Sequence, residues 1–373
     1  MNGLVLSGGG ARAAYQVGVL SYLAEKAPDI AFPIIVGVSS GSINAAFLAG
    51  FRGDASEAMQ QLGRCWCDLS IERVFRSDIG TIGVRGIRWV WTLAGAGGSL
   101  KRAAKGLVDT QPLREFLTAE VNIEGIQANI DDGQLRALGL TVTNYATGQT
   151  ITFVQGAPDV TSWERVRRSG VRQEIGVEHV MASCSLPLIF PAIELNGVYY
   201  GDGSIRQSAP LAPAIHIGAD RLLAVSTRYQ ATSAEIRTRS VDGYPPPAQI
   251  ISMLFSTVFL DTLEADVERL KRLNNVLAAL PPGQPAPEGL REIDILVLRP
   301  SKDLGELASE YKGKLPRSVR FMLRGLGAQR VRQPDLLSYL LFERPYVSRL
   351  IELGYEDALS QWAEIEAFFL QEA

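Results

Sequence analysis

Apolar runs of strand length alternate with segments of helical spacing at the start of the chain. GLVLS at residues 3–7 and PIIVGV at 33–38 are short and apolar, as buried strands are. Residues 11–26 carry apolar side chains at helical spacing, and a segment rich in small residues follows the second strand and ends at Gly50. This strand–helix–strand–helix order predicts a parallel sheet, with functional loops at the carboxyl ends of its strands.

The same alternation continues to about residue 230. Two strands around a turn are predicted over residues 135–154, a helix stopped by Pro187 over 177–191, and a helix followed by a strand over 211–227. The pattern therefore predicts one α/β domain that covers residues 1–230.

The remainder of the chain, residues 231–373, is predicted to be mainly helical. A stiff proline stretch, YPPPAQ at 244–249, separates it from the first domain. EIDILVLRPS at 292–301 is strongly apolar, and we expect a strand at about 292–299 to join the sheet of the first domain. The helical region is therefore predicted to pack on that domain.

The composition is that of a globular protein and argues against several kinds of function. Of 373 residues, 46% are hydrophobic and 21% are charged, and the formal net charge of −3 gives no basic field for nucleic acid. The cysteines Cys65, Cys67 and Cys184 have no paired spacing, and there are only two histidines, so we expect no structural zinc. We see no signal peptide and no apolar run long enough to span a membrane, and we expect reduced thiols and a cytoplasmic location.

The sequence GVSSG at residues 37–41 matches G-x-S-x-G, the sharp strand-to-helix turn that exposes a nucleophilic serine. Gly37 permits the turn, and Gly41 lets the following helix pack closely. The motif lies between a predicted strand and a predicted helix, as this interpretation requires. Ser39 is therefore a candidate nucleophile, and the alternative is a helix-capping serine without chemistry.

Three consecutive glycines, Gly8, Gly9 and Gly10, stand between the first strand and the first helix. With Ala13 they also fit a dinucleotide-binding fingerprint, but the end of the second strand carries the serine motif where that site needs an acid. Uncovered backbone N–H groups at such a turn stabilise an oxyanion in acyl transfer, and a purely structural turn is the remaining alternative. Arg12 is predicted either to steady this turn and add positive potential or to be a solvated surface residue.

A serine hydroxyl needs a base, and the sequence offers few. His179 and His216 both lie in predicted helices, and we expect structural roles for them. Asp202 lies between Gly201 and Gly203 directly after a predicted strand, where it is either a turn former or a catalytic base. A carboxylate can serve as the base if burial raises its pKa.

Four segments together carry a family resemblance: GGGAR at 8–12, GVSSG at 37–41, ASCSLPLIFP at 182–191 and DGS at 202–204. In this order and spacing they resemble the bacterial patatin-like phospholipases, over about residues 3–230. The resemblance implies a three-layer α/β/α sandwich with a mostly parallel central sheet, here with a helical C-terminal extension. It also implies cleavage of lipid acyl esters by a serine–aspartate dyad, without metal or cofactor.

Carried over by position, the resemblance makes Ser39 the nucleophile and Asp202 the general base. It makes the three glycines the oxyanion turn and places Arg12 at the family's basic position. Two residues depart from the family pattern: Ala13 stands where glycine is usual, and Ser204 stands where glycine or alanine is usual. Neither change removes a reacting group.

Three functions stay open at this point: a lipid acyl hydrolase, an acyltransferase in which an alcohol replaces water, and a non-catalytic nucleotide-binding or regulatory module. Residues 85–106 carry Trp89, Trp91 and five basic residues, which predict peripheral contact with anionic headgroups, a mobile flap, or an ordinary surface loop with two core tryptophans. Residues 250–260 are predicted to line an acyl groove, to form a lid, or to be a buried core helix. The sequence predicts no oligomeric state.

Overall fold

The computed structural model describes residues 1–76, 106–232, 262–281, 290–311 and 335–369, together with a few isolated positions. Ten strands in these residues form one sheet with the order β10-β9-β1-β2-β3-β4-β6-β5, and β8 pairs with β3 and β7. The strands are β1 (Asn2–Leu6), β2 (Ile34–Val38), β3 (Ala137–Asn144), β4 (Thr150–Gly156), β5 (Trp163–Arg165), β6 (Arg168–Arg172), β7 (Ile193–Leu195), β8 (Val198–Asp202), β9 (Arg221–Val225) and β10 (Asp294–Leu298).

The helices lie before, between and after these strands. They are α1 (Ala14–Lys26), α2 (Ser40–Gly50), α3 (Ala55–Asp68), α4 (Ile71–Val74), α5 (Gln111–Glu120), α6 (Ile123–Asp131), α7 (Val177–Ser183), α8 (Ala212–Ile217), α9 (Thr262–Ala278), α10 (Leu304–Glu310), α11 (Asp335–Leu340), α12 (Arg344–Ser360) and α13 (Trp362–Phe369). Short 3₁₀ turns at Gly10–Ala13 and Gly203–Ile205 complete the elements used below.

The middle of the sheet is parallel and covered on both faces. Strands β10, β9, β1, β2 and β3 run parallel, and β2 is buried at every position because helices cover both of its sides. One hydrophobic core lies on the face covered by α1, α2 and α12, and a second lies on the face covered by α8 and α9. The predicted three-layer α/β/α fold is confirmed.

The C-terminal region contributes a strand and a helix layer to this fold. β10 pairs in parallel with β9. Helix α12 crosses α1 so closely that a methyl group on Gly18 would overlap the backbone carbonyl of Ile351, and one on Gly354 would overlap that of Tyr15. The predicted division at residue 230 stays a prediction.

The predicted helix over residues 177–191 is wrong in its second half. Helix α7 ends at Ser183, and the chain turns at Cys184. Pro187 disfavours helical geometry at the residue before it, so the helix ends earlier than the proline itself. The side chains of Ser183 and Cys184, at this end of the helix, take part in the site described below.

No helix within the ranges that the structure describes has the length and apolar character to cross a bilayer.

Candidate active site

Ser39 lies at a sharp turn between β2 and α2. Its φ of 53° and ψ of −134° are a conformation that residues other than glycine rarely adopt. A Cβ on Gly37 would lie 2.6 Å from the carbonyl oxygen of Gly41, and a Cβ on Gly41 would overlap the carbonyl oxygen of Leu6. The two glycines of the motif are therefore required by close backbone approach.

Hydrogen bonds on both sides hold the strained peptide of Ser39 in place. Its N–H donates to Ser183 Oγ at 3.0 Å, and Ser183 Oγ donates in turn to the carbonyl of Thr141 at 2.7 Å. Its carbonyl accepts from the N–H of Ser42 at 2.8 Å and from Cys184 Sγ at 3.1 Å. Ser183 and Cys184, from the ASCS segment, thus fix the turn from a separate part of the chain.

The side chain of Ser39 meets the carboxylate of Asp202, which lies at the end of β8. Ser39 Oγ donates to Asp202 Oδ2 at 2.5 Å, and the backbone N–H of Ser204 donates to Oδ1 at 2.9 Å. The Asp202 side chain is fully buried, and Ser39 is 6% exposed. The structure therefore brings together a hydroxyl and a carboxylate that are 163 residues apart in the sequence.

Burial is the main influence on the Asp202 carboxylate. Removal from water raises its pKa to about 6, while the hydrogen bonds from Ser39 and Ser204 act in the opposite direction. A carboxylate with this pKa is a stronger base than an exposed aspartate and is still ionised at neutral pH.

Neither histidine hydrogen-bonds to Ser39 or Asp202 in the described part of the chain. His179 Nδ1 accepts from the N–H of Gly176 at 3.0 Å, and the ring packs edge-on against Phe153. His216 stacks on Trp163 with the ring centroids 5.0 Å apart. Burial lowers the pKa of both imidazoles, so both occupy packed structural positions.

The glycine turn lies directly against Ser39. A Cβ on Gly8 would lie 2.7 Å from Ser39 Cβ, and the carbonyl of Gly8 accepts from Thr227 Oγ1 at 2.5 Å. Among the described residues no acceptor pairs with the backbone N–H groups of Gly8 and Gly9. Gly10 has a φ of 58°, the left-handed conformation that glycine adopts at low cost. The turn thus offers free N–H groups close to the serine.

Arg12 is 2% exposed, so the alternative of a solvated surface arginine is wrong. Its Nε donates to Ser338 Oγ at 2.6 Å, and its guanidinium lies 4.9 Å from the centre of the Tyr339 ring. Arg12 therefore connects the glycine turn to α11. A direct role in substrate binding stays a prediction.

Ser204 places a second hydroxyl at the site. It is 4% exposed, and its Oγ has no hydrogen-bond partner in the described part of the chain. That oxygen lies 3.1 Å from the point where a Cβ on Gly8 would be, and Ser39 Oγ lies 3.4 Å from the same point. The Ser204 side chain is also close enough to lower the pKa of Asp202, although it makes no hydrogen bond of good geometry.

Several predicted features fall outside the described residues: Trp89, Trp91, the nearby basic residues, and all of residues 250–260 except Met253. Within the described residues, no three His, Cys, Asp or Glu side chains are arranged to hold a metal ion.

Comparison with solved structures finds distant likenesses. VipD from Legionella pneumophila is 13% identical with a TM-score of 0.42, over 97% of this chain and 67% of that one. Human GIVD cytosolic phospholipase A2, in complex with methyl gamma-linolenyl fluorophosphonate, is 13% identical with a TM-score of 0.46, over 98% of this chain. The chain spans 58% of the length of that human chain.

No curated protein matches the chain in sequence. A family model does match: the one described as patatin-like phospholipase aligns with residues 4–215, more than half of the chain. The match covers the serine turn, the aspartate and the glycine turn. The chain therefore belongs to the patatin-like phospholipase family.

Proposed function

We propose that the protein is a serine hydrolase of lipid acyl esters, of the phospholipase A or lysophospholipase type. Ser39 is the nucleophile and Asp202 the general base. The observation that carries the proposal is the 2.5 Å hydrogen bond from Ser39 Oγ to a buried carboxylate whose pKa is raised to about 6. Membership of a phospholipase family supports a lipid ester as the substrate.

In the first half-reaction, Ser39 Oγ attacks the ester carbonyl while Asp202 takes its proton. Negative charge develops on the former carbonyl oxygen. The free N–H groups of the glycine turn and the positive end of α2 stabilise it. Collapse of the intermediate breaks the ester bond, and Asp202 gives the proton to the departing alcohol. The acyl group is left on Ser39.

In the second half-reaction, Asp202 removes a proton from water, and the resulting hydroxide attacks the acyl-enzyme. Collapse of this second intermediate returns the proton to Ser39 Oγ and releases the fatty acid. An acyltransferase differs only in using an alcohol in place of water, so the same two side chains serve both reactions.

We expect an alkyl fluorophosphonate probe to label the protein at Ser39, because the probe reacts with an activated serine hydroxyl. Mass spectrometry of the labelled peptide identifies the residue, and Ser40→Ala is a control that removes the adjacent serine hydroxyl, which makes no hydrogen bond in the described part of the chain. A regulatory module without catalysis would show no labelling, and labelling of another serine would contradict the assignment of Ser39.

We expect the rate of ester hydrolysis to rise with pH and to level off above about pH 7, because Asp202 acts only when ionised. The midpoint should lie near the raised pKa of about 6. Ser204→Ala should move the midpoint to higher pH, since the Ser204 hydroxyl lowers the pKa of Asp202. Ser185→Ala is the matched control, because that buried hydroxyl donates to the Met181 carbonyl instead.

If deacylation limits turnover, Ser204→Ala should shift the midpoint of the pH profile further for kcat than for kcat/KM. An acylated Ser39 has no hydroxyl hydrogen, so Asp202 loses one of its two hydrogen bonds in that state. The Ser204 hydroxyl is the buried donor beside it. A pH-independent rate between pH 5 and 8 would contradict a carboxylate base, and equal profiles for Ser204→Ala and wild type would contradict a contribution from this hydroxyl.

A further inference from the structure

The hairpin of β5 and β6 ends in a turn made of residues that turns disfavour. Arg165 pairs with Arg168, so the turn consists of Val166 and Arg167 alone. Arg167 has a φ of 60°, a conformation that glycine or asparagine usually occupies. Valine is β-branched and favours strands over turns. A local sequence that contradicts its own backbone is characteristic of functional positions.

The same turn is exposed and positively charged. Val166 is 89% exposed, the largest value for a large hydrophobic side chain among the described residues. Arg165, Arg167 and Arg168 form no ion pair in the described part of the chain, although the charge of Arg168 opposes the rise in the pKa of Asp266 that burial causes. Glu164 is the single acidic residue of the hairpin. Among the described residues, no ion pair engages the guanidinium groups of Arg165 and Arg167, and Val166 is left uncovered.

Strand register places this turn at the edge of the sheet that carries Ser39. Val38, the residue before Ser39, pairs with Thr141 in β3. Two residues further along β3, Thr143 pairs with Thr150 in β4. Thr150 is in turn level with Arg168. The turn therefore projects beyond the same edge as the serine, three strand spacings or about 14 Å to the side.

We propose that the hairpin tip, residues 165–168, docks on an anionic lipid surface and orients the Ser39 edge of the sheet toward it. The proposal rests on the proposed function, because it gives a lipid hydrolase its contact with a lipid interface. An apolar tip flanked by arginines suits the headgroup region, where the valine enters the acyl boundary and guanidinium groups bind phosphates. The overall charge of −3 and the exposed valine favour lipid over nucleic acid.

Vesicle sedimentation tests the proposal. The full chain should bind vesicles of phosphatidylglycerol and phosphatidylcholine more strongly than vesicles of phosphatidylcholine alone, and salt should weaken the binding. Each arginine removed should cost about fivefold in partitioning, so Arg165→Gln with Arg167→Gln should cost about 25-fold. Lys271→Gln with Arg272→Gln is the matched control, since it removes two exposed cations from α9.

Arg167→Gly separates docking from folding. Glycine fits the φ of 60°, so this variant should unfold at an equal or higher denaturant concentration while it binds anionic vesicles about fivefold more weakly. An arginine with only a structural role would not combine unchanged or higher stability with weaker vesicle binding when it is replaced. Equal vesicle binding by wild type, Arg165→Gln/Arg167→Gln and Arg167→Gly would overturn the proposal, as would stronger competition by single-stranded DNA than by anionic vesicles.

Labelling of Ser39 by a small fluorophosphonate distinguishes this proposal from the proposed function. A docking defect with unchanged labelling supports the hairpin proposal. If the protein hydrolyses no ester but its vesicle binding still depends on the hairpin, the hydrolase function is contradicted. The docking proposal is then still supported.

Discussion

Replacement of Ser39 by alanine should lower the rate of ester hydrolysis by about 10⁴- to 10⁶-fold, the order of loss found when one member of a catalytic serine unit is removed. Asp202→Asn should cause a loss of similar order. The amide retains the shape of the carboxylate and its acceptor for the Ser204 N–H, but it cannot take a proton. Initial rates on a chromogenic short-chain ester and on phospholipid vesicles measure both effects.

Asp202→Asn should be at least as stable as the wild type at pH 8, which shows that lost activity is not lost fold. The pKa of Asp202 is raised from 3.8 to about 6 by folding, so the ionised carboxylate opposes folding by about 3 kcal/mol above pH 6. This destabilisation of the wild type develops as the pH rises from about 4 to about 6, and it is absent below pH 4. The difference between the free energies of unfolding of variant and wild type should follow this window.

His179→Ala and His216→Ala are the controls for the choice of base. Both imidazoles are held by contacts away from Ser39, so most of the activity should remain in each variant. A hundredfold loss of hydrolysis rate in either variant, with an unchanged free energy of unfolding, would indicate that a histidine and not Asp202 is the base.

The largest effect on stability should come from one methyl group at the crossing of α1 and α12. We expect Gly18→Ala and Gly354→Ala each to lower the free energy of unfolding by about 3 kcal/mol or more. Each new Cβ would overlap a backbone carbonyl of the partner helix, and a backbone cannot move aside as a flexible side chain can. The better helix propensity of alanine offsets only about 1 kcal/mol of this.

Gly63→Ala in α3 is the matched control for these two variants. A Cβ there would meet only Val17 Cγ1, at 3.9 Å, so the variant should be neutral or more stable by up to about 1 kcal/mol. Urea denaturation with a common m-value compares all three proteins. Equal stabilities for Gly18→Ala, Gly354→Ala and Gly63→Ala would contradict the close crossing.

The sequence predicted the architecture and the family because their signals are local. Apolar runs, glycine turns and the G-x-S-x-G motif each lie within a few consecutive residues, and the alternation of strands and helices fixes the layers. The fold and the family are confirmed. The structure also brings Ser39 and Asp202 within hydrogen-bond distance, although their proposed roles remain to be tested.

The supports of the site were beyond sequence reasoning, because they join distant parts of the chain. The partner of the Ser39 N–H is 144 residues away at Ser183, and the partner of Arg12 is 326 residues away at Ser338. Nothing in the local sequence distinguishes either serine from others in the chain, because its role depends on the register of the sheet and the packing of helices. The ASCS segment was noticed only as part of the resemblance, which gave no indication of the hydrogen bonds that it makes.

The position of β1 in the sheet also constrains the order in which the protein can be completed during synthesis. β1 leaves the ribosome well before one of its two neighbours, β9, at residues 221–225, and β10 follows only at 294–298. The family match ends at residue 215, before either strand. A nascent chain that has emerged only to residue 215 leaves one edge of β1 unpaired, and we expect it to recruit chaperones or to aggregate.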